Sequence, residues 1–184
     1  MMAYAIDLLR RYEVGAESGE EAAMLAEYIP FITAHPDCLW RTCLEGHLTA
    51  SAWIVDAART RTLLTHHRKL DRWLQLGGHV DGDPDLAGAA LREAHEESGL
   101  TRLKLLRPEI FDVDRHRIPA RGDEPEHWHY DVRFLIEADE TEPLKVSNES
   151  KDVAWVKLED VAGLNPSESL ARMVRKTRRS VSFL

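Results

Sequence analysis

GHVDGDPDLAGAALREAHEESGL, residues 78–100, joins a glycine-containing loop to a helix whose charges are sorted to one side. Asp83 and Pro84 read as an N-cap and a first helical residue, so the spacing predicts a helix over 84–98, which Gly99 stops. With Glu93 set at zero on a helical wheel, Glu97 falls at about +40°, Glu96 at about −60° and Arg92 at about −100°. Leu86, Ala87, Ala90, Leu91 and Ala94 form the apolar stripe beside them. Like charges at i,i+3 and i,i+4 each destabilise a helix by a few tenths of a kcal/mol, so stability alone does not select this grouping. A divalent cation reverses the sign of that cost. Oxygen ligands suit Mg²⁺ or Mn²⁺, which can neutralise a diphosphate and activate a water. The competing reading of an isolated E-x-x-E-E is a solvated acidic helix face.

Outward from this helix, residues 74–82 (LQLGGHVDG) form a short strand entering the loop. Before it, 47–55 (HLTASAWIV) reads as extended; a turn at 56–59 and a second strand over 62–65 complete a hairpin. Residues 4–12 and 19–34 have helical spacing, with Gly15 and Gly19 bracketing their turn and Pro36 ending the piece. After the central helix, strands are expected at 103–106, 109–115, 128–137 and 153–157, with a Gly/Asp/Glu/Pro-rich loop at 119–126 and a last helix over 168–179. This order predicts an α/β sandwich around a mixed β-sheet. The division expected is an N-terminal helical extension over 1–42 and one domain over 43–184.

A second polar cluster follows from strand alternation. His127, His129, Asp131 and Arg133 share one face, with Trp128, Tyr130, Val132 and Phe134 on the other. Asp112, Asp114 and His116 alternate in the same way with Phe111 and Val113. Paired side by side, the two strands make a wall rich in His and Asp; the alternative is a solvent-exposed sheet face. Taken singly, His79, His47, His35, His66, His67 and His95 read as surface or capped residues. Taken together, His79, His116, His127 and His129 are candidates to line a substrate pocket, as phosphate donors or as ligands of a second metal. Trp73, Trp128 and Tyr130 can stack a base, but core roles are the simpler reading.

Composition sets bounds on partners. The 184 residues are 43% hydrophobic and 30% charged, enough for one domain with a real core, and the formal net charge is −8. That sign argues against general nucleic-acid or membrane-surface binding. The basic run Arg172, Arg175, Lys176, Arg178 and Arg179 reads as dipole compensation and solvation at a helix C-terminus. The two cysteines, Cys38 and Cys43, lack zinc or redox spacing and read as reduced, partly buried thiols. With no signal-peptide pattern and no membrane-length apolar run, the expected location is the cytoplasm.

The segment Gly78 to Leu100 resembles the Nudix box, G-x5-E-x7-R-E-U-x-E-E-x-G-U, where U is aliphatic. Gly78, Arg92, Glu93, Glu96, Glu97 and Gly99 stand at the matching positions, while Pro84 takes the place of the first Glu. Asp83 and Asp85 are the candidate substitutes for it. The likeness extends over about 47–165. It implies an α/β/α sandwich, metal ligands at Glu93, Glu96 and Glu97 with the Gly78 carbonyl, and Arg92 orienting a carboxylate. It further implies metal-dependent hydrolysis of a diphosphate linkage in a small, nucleotide-derived molecule, with homodimerisation a family-level expectation. Glu97 and the later loop residue Glu149 are the candidates for the base. Two alternatives come with the resemblance. One is a non-catalytic ligand-sensing domain, suggested by Pro84. The other is an isopentenyl-diphosphate isomerase-like enzyme, disfavoured because Gly77 stands where that enzyme has its cysteine.

Overall fold

A computed structural model describes residues 2–13 and 19–181. The elements are α1 (Met2–Glu13), α2 (Gly19–Ala34), β1 (Gly46–Val55), β2 (Arg61–His67), β3 (Arg72–Leu74), β4 (Leu76–His79) and α3 (Leu86–Ser98). They continue with β5 (Leu103–Leu105), β6 (Asp112–Ile118), β7 (His127–Ala138), β8 (Ser150–Lys157), α4 (Val161–Leu164) and α5 (Glu168–Val181). The expected α/β class holds: eight strands form one mixed sheet in the order β3-β2-β1-β7-β5, with β4 on β1, β6 on β7 and β8 on β2, and helices flank it. Gly15, expected in the turn after α1, lies outside the described residues. No helix among the described residues is long and apolar enough to cross a membrane.

The chain divides into two compact units, and it passes between them within β1, β4, α3 and β7 and in the connection from β5 to β6. The first comprises Met1–Ser51, Gly78–Ala90 and Arg107–Phe134. Here β6 and β7 pair antiparallel from Asp112↔Arg133 to Ile118↔His127, which sets His116 opposite His129 and Asp114 opposite Asp131. The hairpin closes through a tight turn in which Arg121 and Glu124 exchange backbone hydrogen bonds, and Gly122 supplies the positive φ of 58°. The apolar face of β7 is covered by α2: the Tyr130 ring stacks on Phe31 at 4.0 Å and meets Tyr28 edge-on at 5.1 Å. Tyr130 is therefore core, while Trp128 lies under the Arg115 guanidinium at 4.2 Å. Cys38 and Cys43 are free and buried.

The second unit comprises Ala52–Gly77, Leu91–Leu106 and Leu135–Leu184. Its core gathers Ala52, Ile54, Leu63, Leu76, Ile136 and Val153 from the sheet against Leu91, Ala94 and Leu100 from α3 and the turn after it. Burial of these side chains at about 25 cal/mol per Å² of apolar surface holds the carboxylate-bearing helix in place. Trp53 is fully buried and donates its indole N–H to Thr177 Oγ1 of α5 at 2.8 Å. Within α5, Arg172 and Lys176 are buried, at 3% and 8% exposure, so the expected solvated basic face does not extend to them. Both have polar partners. Trp73 stacks on His66 at 5.1 Å.

The ends of α3 differ in how well the sequence places them. Gly99 ends it as expected, with φ of 72° and its N–H bonded to the His95 carbonyl at 2.8 Å. The start shifts from Pro84 to Leu86, because Asp85 and not Asp83 is the cap: Asp85 Oδ1 accepts the Gly88 N–H at 3.0 Å. Asp83 instead accepts the Asp85 N–H at 2.9 Å, setting up the turn. Replacement of Asp85 by Ala is expected to lower stability by about 1 kcal/mol and Tm by roughly 2–4 °C. Asp85→Asn, which keeps the acceptor, should stay close to wild type; equal losses in the two variants on thermal melting would refute the cap assignment. Strands β6 and β8 begin at Asp112 and Ser150, where the sequence suggests 109 and 153. Ahead of β6, Phe111 already donates its N–H to the Arg133 carbonyl at 2.8 Å.

Candidate active site and histidine cluster

On α3, in the second unit, the three carboxylates occupy different environments. Glu97 is 7% exposed and accepts the Gly77 N–H on Oε2 at 2.9 Å. Burial pushes its carboxyl up to about 7; the Gly77 hydrogen bond opposes this, and the charges of Glu93, Glu149 and Glu96 add to it. Glu93 is raised in the same direction by burial, against the pull of Arg92. Arg92 Nη2 stands 3.0 Å from Glu93 Oε1, and its Nε stands 4.0 Å from the exposed Glu96 carboxylate. Arg92 thus stands within ion-pair distance of both carboxylates. Among the described residues, the groups with ligating atoms all within 4.8 Å are His47–His127–His129 and His35–Cys43–Glu45. The α3 carboxylates are less tightly gathered, since Arg92 draws Glu93 one way and Gly77 fixes Glu97.

Glu149 is exposed, on the loop before β8. Its carbonyl accepts the Arg68 N–H at 2.9 Å, and the Arg68 side chain bonds the carbonyls of Asn148 at 3.1 Å and Ser150 at 2.7 Å. One arginine therefore clamps the backbone on either side of Glu149, whose charge raises both Glu93 and Glu97.

The histidines gather in the first unit. His129 Nε2 lies 3.1 Å from His47 Nε2 and 3.3 Å from His127 Nε2. The His79 ring sits 4.9 Å from that of His47 and 5.2 Å from that of His129; His116 lies 5.5 Å from His129 and bonds Asp114 at 3.2 Å. Burial lowers His129 to about 2 and His79 to about 4, with neighbouring histidines and, for His79, Arg41 adding to the effect; His47 also is lowered by burial. The His129 and His79 rings are therefore neutral at physiological pH.

Next to them along the strands is a buried charge network. Arg133 contacts Asp131 at 2.7 Å, Asp112 at 3.0 Å and Asp114 at 3.3 Å, and Asp131 also accepts the hydroxyls of Thr49 at 3.0 Å and Ser51 at 2.8 Å. Burial opposes the Arg133 charge, yet the three carboxylates hold its pKa above the ordinary value. The wall of His and Asp expected from alternation is therefore formed, buried at His127 (4% exposed) and Asp131 (2%) and open to solvent at His116, whose side chain is 43% exposed.

The group also includes His47, which the sequence alone reads as a surface or capped residue. It is 1% exposed. A signal exists in its position at the head of a strand beside β7, but strand adjacency is a tertiary fact. The other histidines read as surface or capped residues have local partners: His95 bonds the Leu100 carbonyl, His66 pairs with Asp71, His67 accepts the Leu70 N–H, and His35 packs on Phe31.

A sequence model of the NUDIX domain matches residues 46–177. No curated protein matches the chain. Among solved structures, a binary complex of a C. elegans Ap4A hydrolase is similar with a TM-score of 0.60 and 21% identity, covering 74% of this chain and 98% of that one. RenU, a Nudix hydrolase from M. smegmatis, has a TM-score of 0.55 at 20% identity over 75% of this chain and 87% of its own. The E. coli dihydroneopterin triphosphate pyrophosphohydrolase gives 0.55 at 19% identity, covering 70% and 92%. At these identities the likeness is one of fold.

Proposed function

The chain belongs to the Nudix family of hydrolases, and from that premise we propose that it hydrolyses a diphosphate linkage in a nucleoside diphosphate derivative or related small molecule, dependent on Mg²⁺ or Mn²⁺. Glu93, Glu96 and Glu97 are its metal ligands. The observation that carries this reading is Glu97, an almost fully buried carboxyl brought to about 7 and aimed by a backbone N–H, on one helix with two further carboxylates. Such tuning is typical of functional carboxylates.

The donor set suits a hard cation. It contains carboxylates and no sulfur, and the mutual repulsion of Glu93, Glu96 and Glu97 is compensated only in part by Arg92. A cation bound there supplies charge neutralisation for the diphosphate and activation of the attacking water. Arg92 holds Glu93 and Glu96 in orientation, and Glu149, on its clamped loop, is the candidate proton acceptor beside Glu97. His79, His116, His127 and His129 are candidates to bind phosphate as donors or to hold a metal of their own. The Ap4A hydrolase and the dihydroneopterin triphosphate enzyme are named for substrates with phosphate chains, which supports this substrate class.

One observation favours a second reading, a ligand-sensing domain. Pro84 stands at the first Glu position, and the carboxylates of its neighbours Asp83 and Asp85 are engaged by the Asp85 and Gly88 N–H groups, so neither is free of a capping duty. Assay of phosphate and monophosphate release across nucleoside di- and triphosphates, nucleotide sugars and dinucleotides decides between the two. Turnover that requires Mg²⁺ or Mn²⁺ and ceases with EDTA is expected. Tight binding with no turnover on any of them would instead assign the domain to sensing.

A further inference from the structure

We infer that His47, His127 and His129 form a second metal site, which takes a divalent transition metal such as Zn²⁺ or Co²⁺ through three imidazole nitrogens and leaves one coordination position for an exogenous oxygen ligand. The site differs from the carboxylate site of the proposed hydrolase in every ligand and in ligand class. It rests on the geometry of the rings.

Two nitrogens bound 2.0–2.1 Å from a tetrahedral centre stand ~3.3 Å apart. The His129–His47 and His129–His127 Nε2 separations are 3.1 and 3.3 Å, and the three ligating nitrogens lie within 4.8 Å of one another. The outward nitrogen of His127 is set by its surroundings: Nδ1 donates to the Pro125 carbonyl at 2.9 Å, which leaves Nε2 with its lone pair facing the cluster. His47 Nδ1 points in the same manner to the Cys43 carbonyl, at 3.5 Å. A backbone carbonyl on the far nitrogen is the arrangement that orients metal-binding histidines. With both Nε2 lone pairs turned inward, a single Nε2–H on His129 can satisfy only one of them. A cation satisfies all three.

The ligand type selects the metal. Imidazole favours Zn²⁺, Co²⁺, Ni²⁺ and Cu²⁺ over Mg²⁺, whose preference is for oxygen. Three protein ligands are the number found where zinc keeps a position open, whereas structural zinc sites close with four. His79 and His116 flank the group without joining the tight set, at ring distances of 5.2 and 5.5 Å from His129. They are placed to hydrogen-bond an anionic oxygen in the open position, and a phosphate oxygen has that chemistry.

Titration of the metal-stripped full chain with Co²⁺ tests the site. Wild type is expected to develop the visible d–d bands of tetrahedral cobalt at one equivalent, without a thiolate charge-transfer band, and Zn²⁺ should displace it. Glu97→Gln should bind Co²⁺ equally well, even if the protein proves to have no hydrolase activity, whereas His129→Ala and His47→Ala should each weaken binding by roughly 100-fold or more. Bands that vanish in Glu97→Gln and persist in His129→Ala would overturn the inference, as would a thiolate band traced to Cys43 or the absence of any tetrahedral spectrum. Should the histidine variants fail to fold, X-ray absorption of the Zn²⁺-loaded wild type still decides: three imidazoles at ~2.0 Å are expected, and an all-oxygen shell contradicts them.

Discussion

Glu97→Gln is expected to stabilise the metal-free protein above neutral pH while removing its hydrolase activity. The carboxyl of Glu97 titrates near 4.5 when unfolded and at about 7 in the fold, because burial disfavours the charged form. Between those values the folded state holds a proton that the unfolded state has released, so stability falls as pH rises through this window and the full penalty applies above about pH 7. The size of that penalty is on the order of 3–4 kcal/mol at about 1.4 kcal/mol per pH unit. Glutamine keeps an oxygen for the Gly77 N–H and has no charge to desolvate. Thermal melts in EDTA should therefore show the variant above wild type by roughly 7 °C or more at pH 8, with the gap closing toward pH 5. With Mg²⁺ or Mn²⁺ present the order of merit reverses in function: turnover should fall by at least about 10³-fold, the equivalent of ~4 kcal/mol of barrier. A gap in Tm that is the same at both pH values would show that the Glu97 carboxyl is not penalised by burial. Retained turnover would remove it from the proposed metal site.

That carboxylate grouping is legible in the sequence because it is a helix-period pattern, and helix periodicity is local. Arg92, Glu93, Glu96 and Glu97 lie within six consecutive residues, and the spacing alone puts them on one arc. Their energetic inequality is not legible. Glu96 is exposed and Glu97 buried because Leu76, Ile54 and Leu100 pack against one side of the helix, and that depends on where the chain returns. The cap of α3 falls two residues later than the sequence suggests for a local reason: Asp83, Pro84 and Asp85 offer two equivalent acceptors, and only the backbone path chooses between them. The His/Asp wall is half legible. Alternation assigns the faces of both strands, and their antiparallel pairing confirms that they meet. Its burial, and the inclusion of His47 from β1, come from tertiary pairing that a period-two pattern does not encode.

The second large effect is expected at Arg133, whose guanidinium faces the three carboxylates of Asp112, Asp114 and Asp131 in the first unit. Arg133→Met preserves much of the volume and removes the counter-charge from those carboxylates, at exposures of 0%, 15% and 2% for the three side chains. Loss of one partner from a buried ion pair costs about 3–5 kcal/mol, which predicts a fall in Tm of roughly 10 °C or more. Arg133→Lys should recover only part of this, since an ammonium cannot present the fork that reaches three acceptors at once. Because the penalty belongs to the carboxylates left behind and not to the missing arginine itself, neutralising them should restore stability. The triple variant Arg133→Met/Asp112→Asn/Asp131→Asn is therefore expected to melt well above Arg133→Met alone. In it the amide oxygen introduced by Asp131→Asn can still accept the Thr49 and Ser51 hydroxyls that Asp131 Oδ1 accepts in the wild type. A network that merely fills space predicts the opposite, three small losses that add. If Arg133→Met melts within about 2 °C of wild type, the charges are being satisfied by other means and the network does not anchor the β6–β7 pair. If it melts low and the triple variant does not recover, shape rather than charge is what the arginine supplies. The histidine rung lies two register positions beyond Asp114↔Asp131, as the next pair on the same face, at His116↔His129. Loss of the Arg133 anchor should therefore also weaken Co²⁺ binding at the histidines in proportion to its loosening of that register.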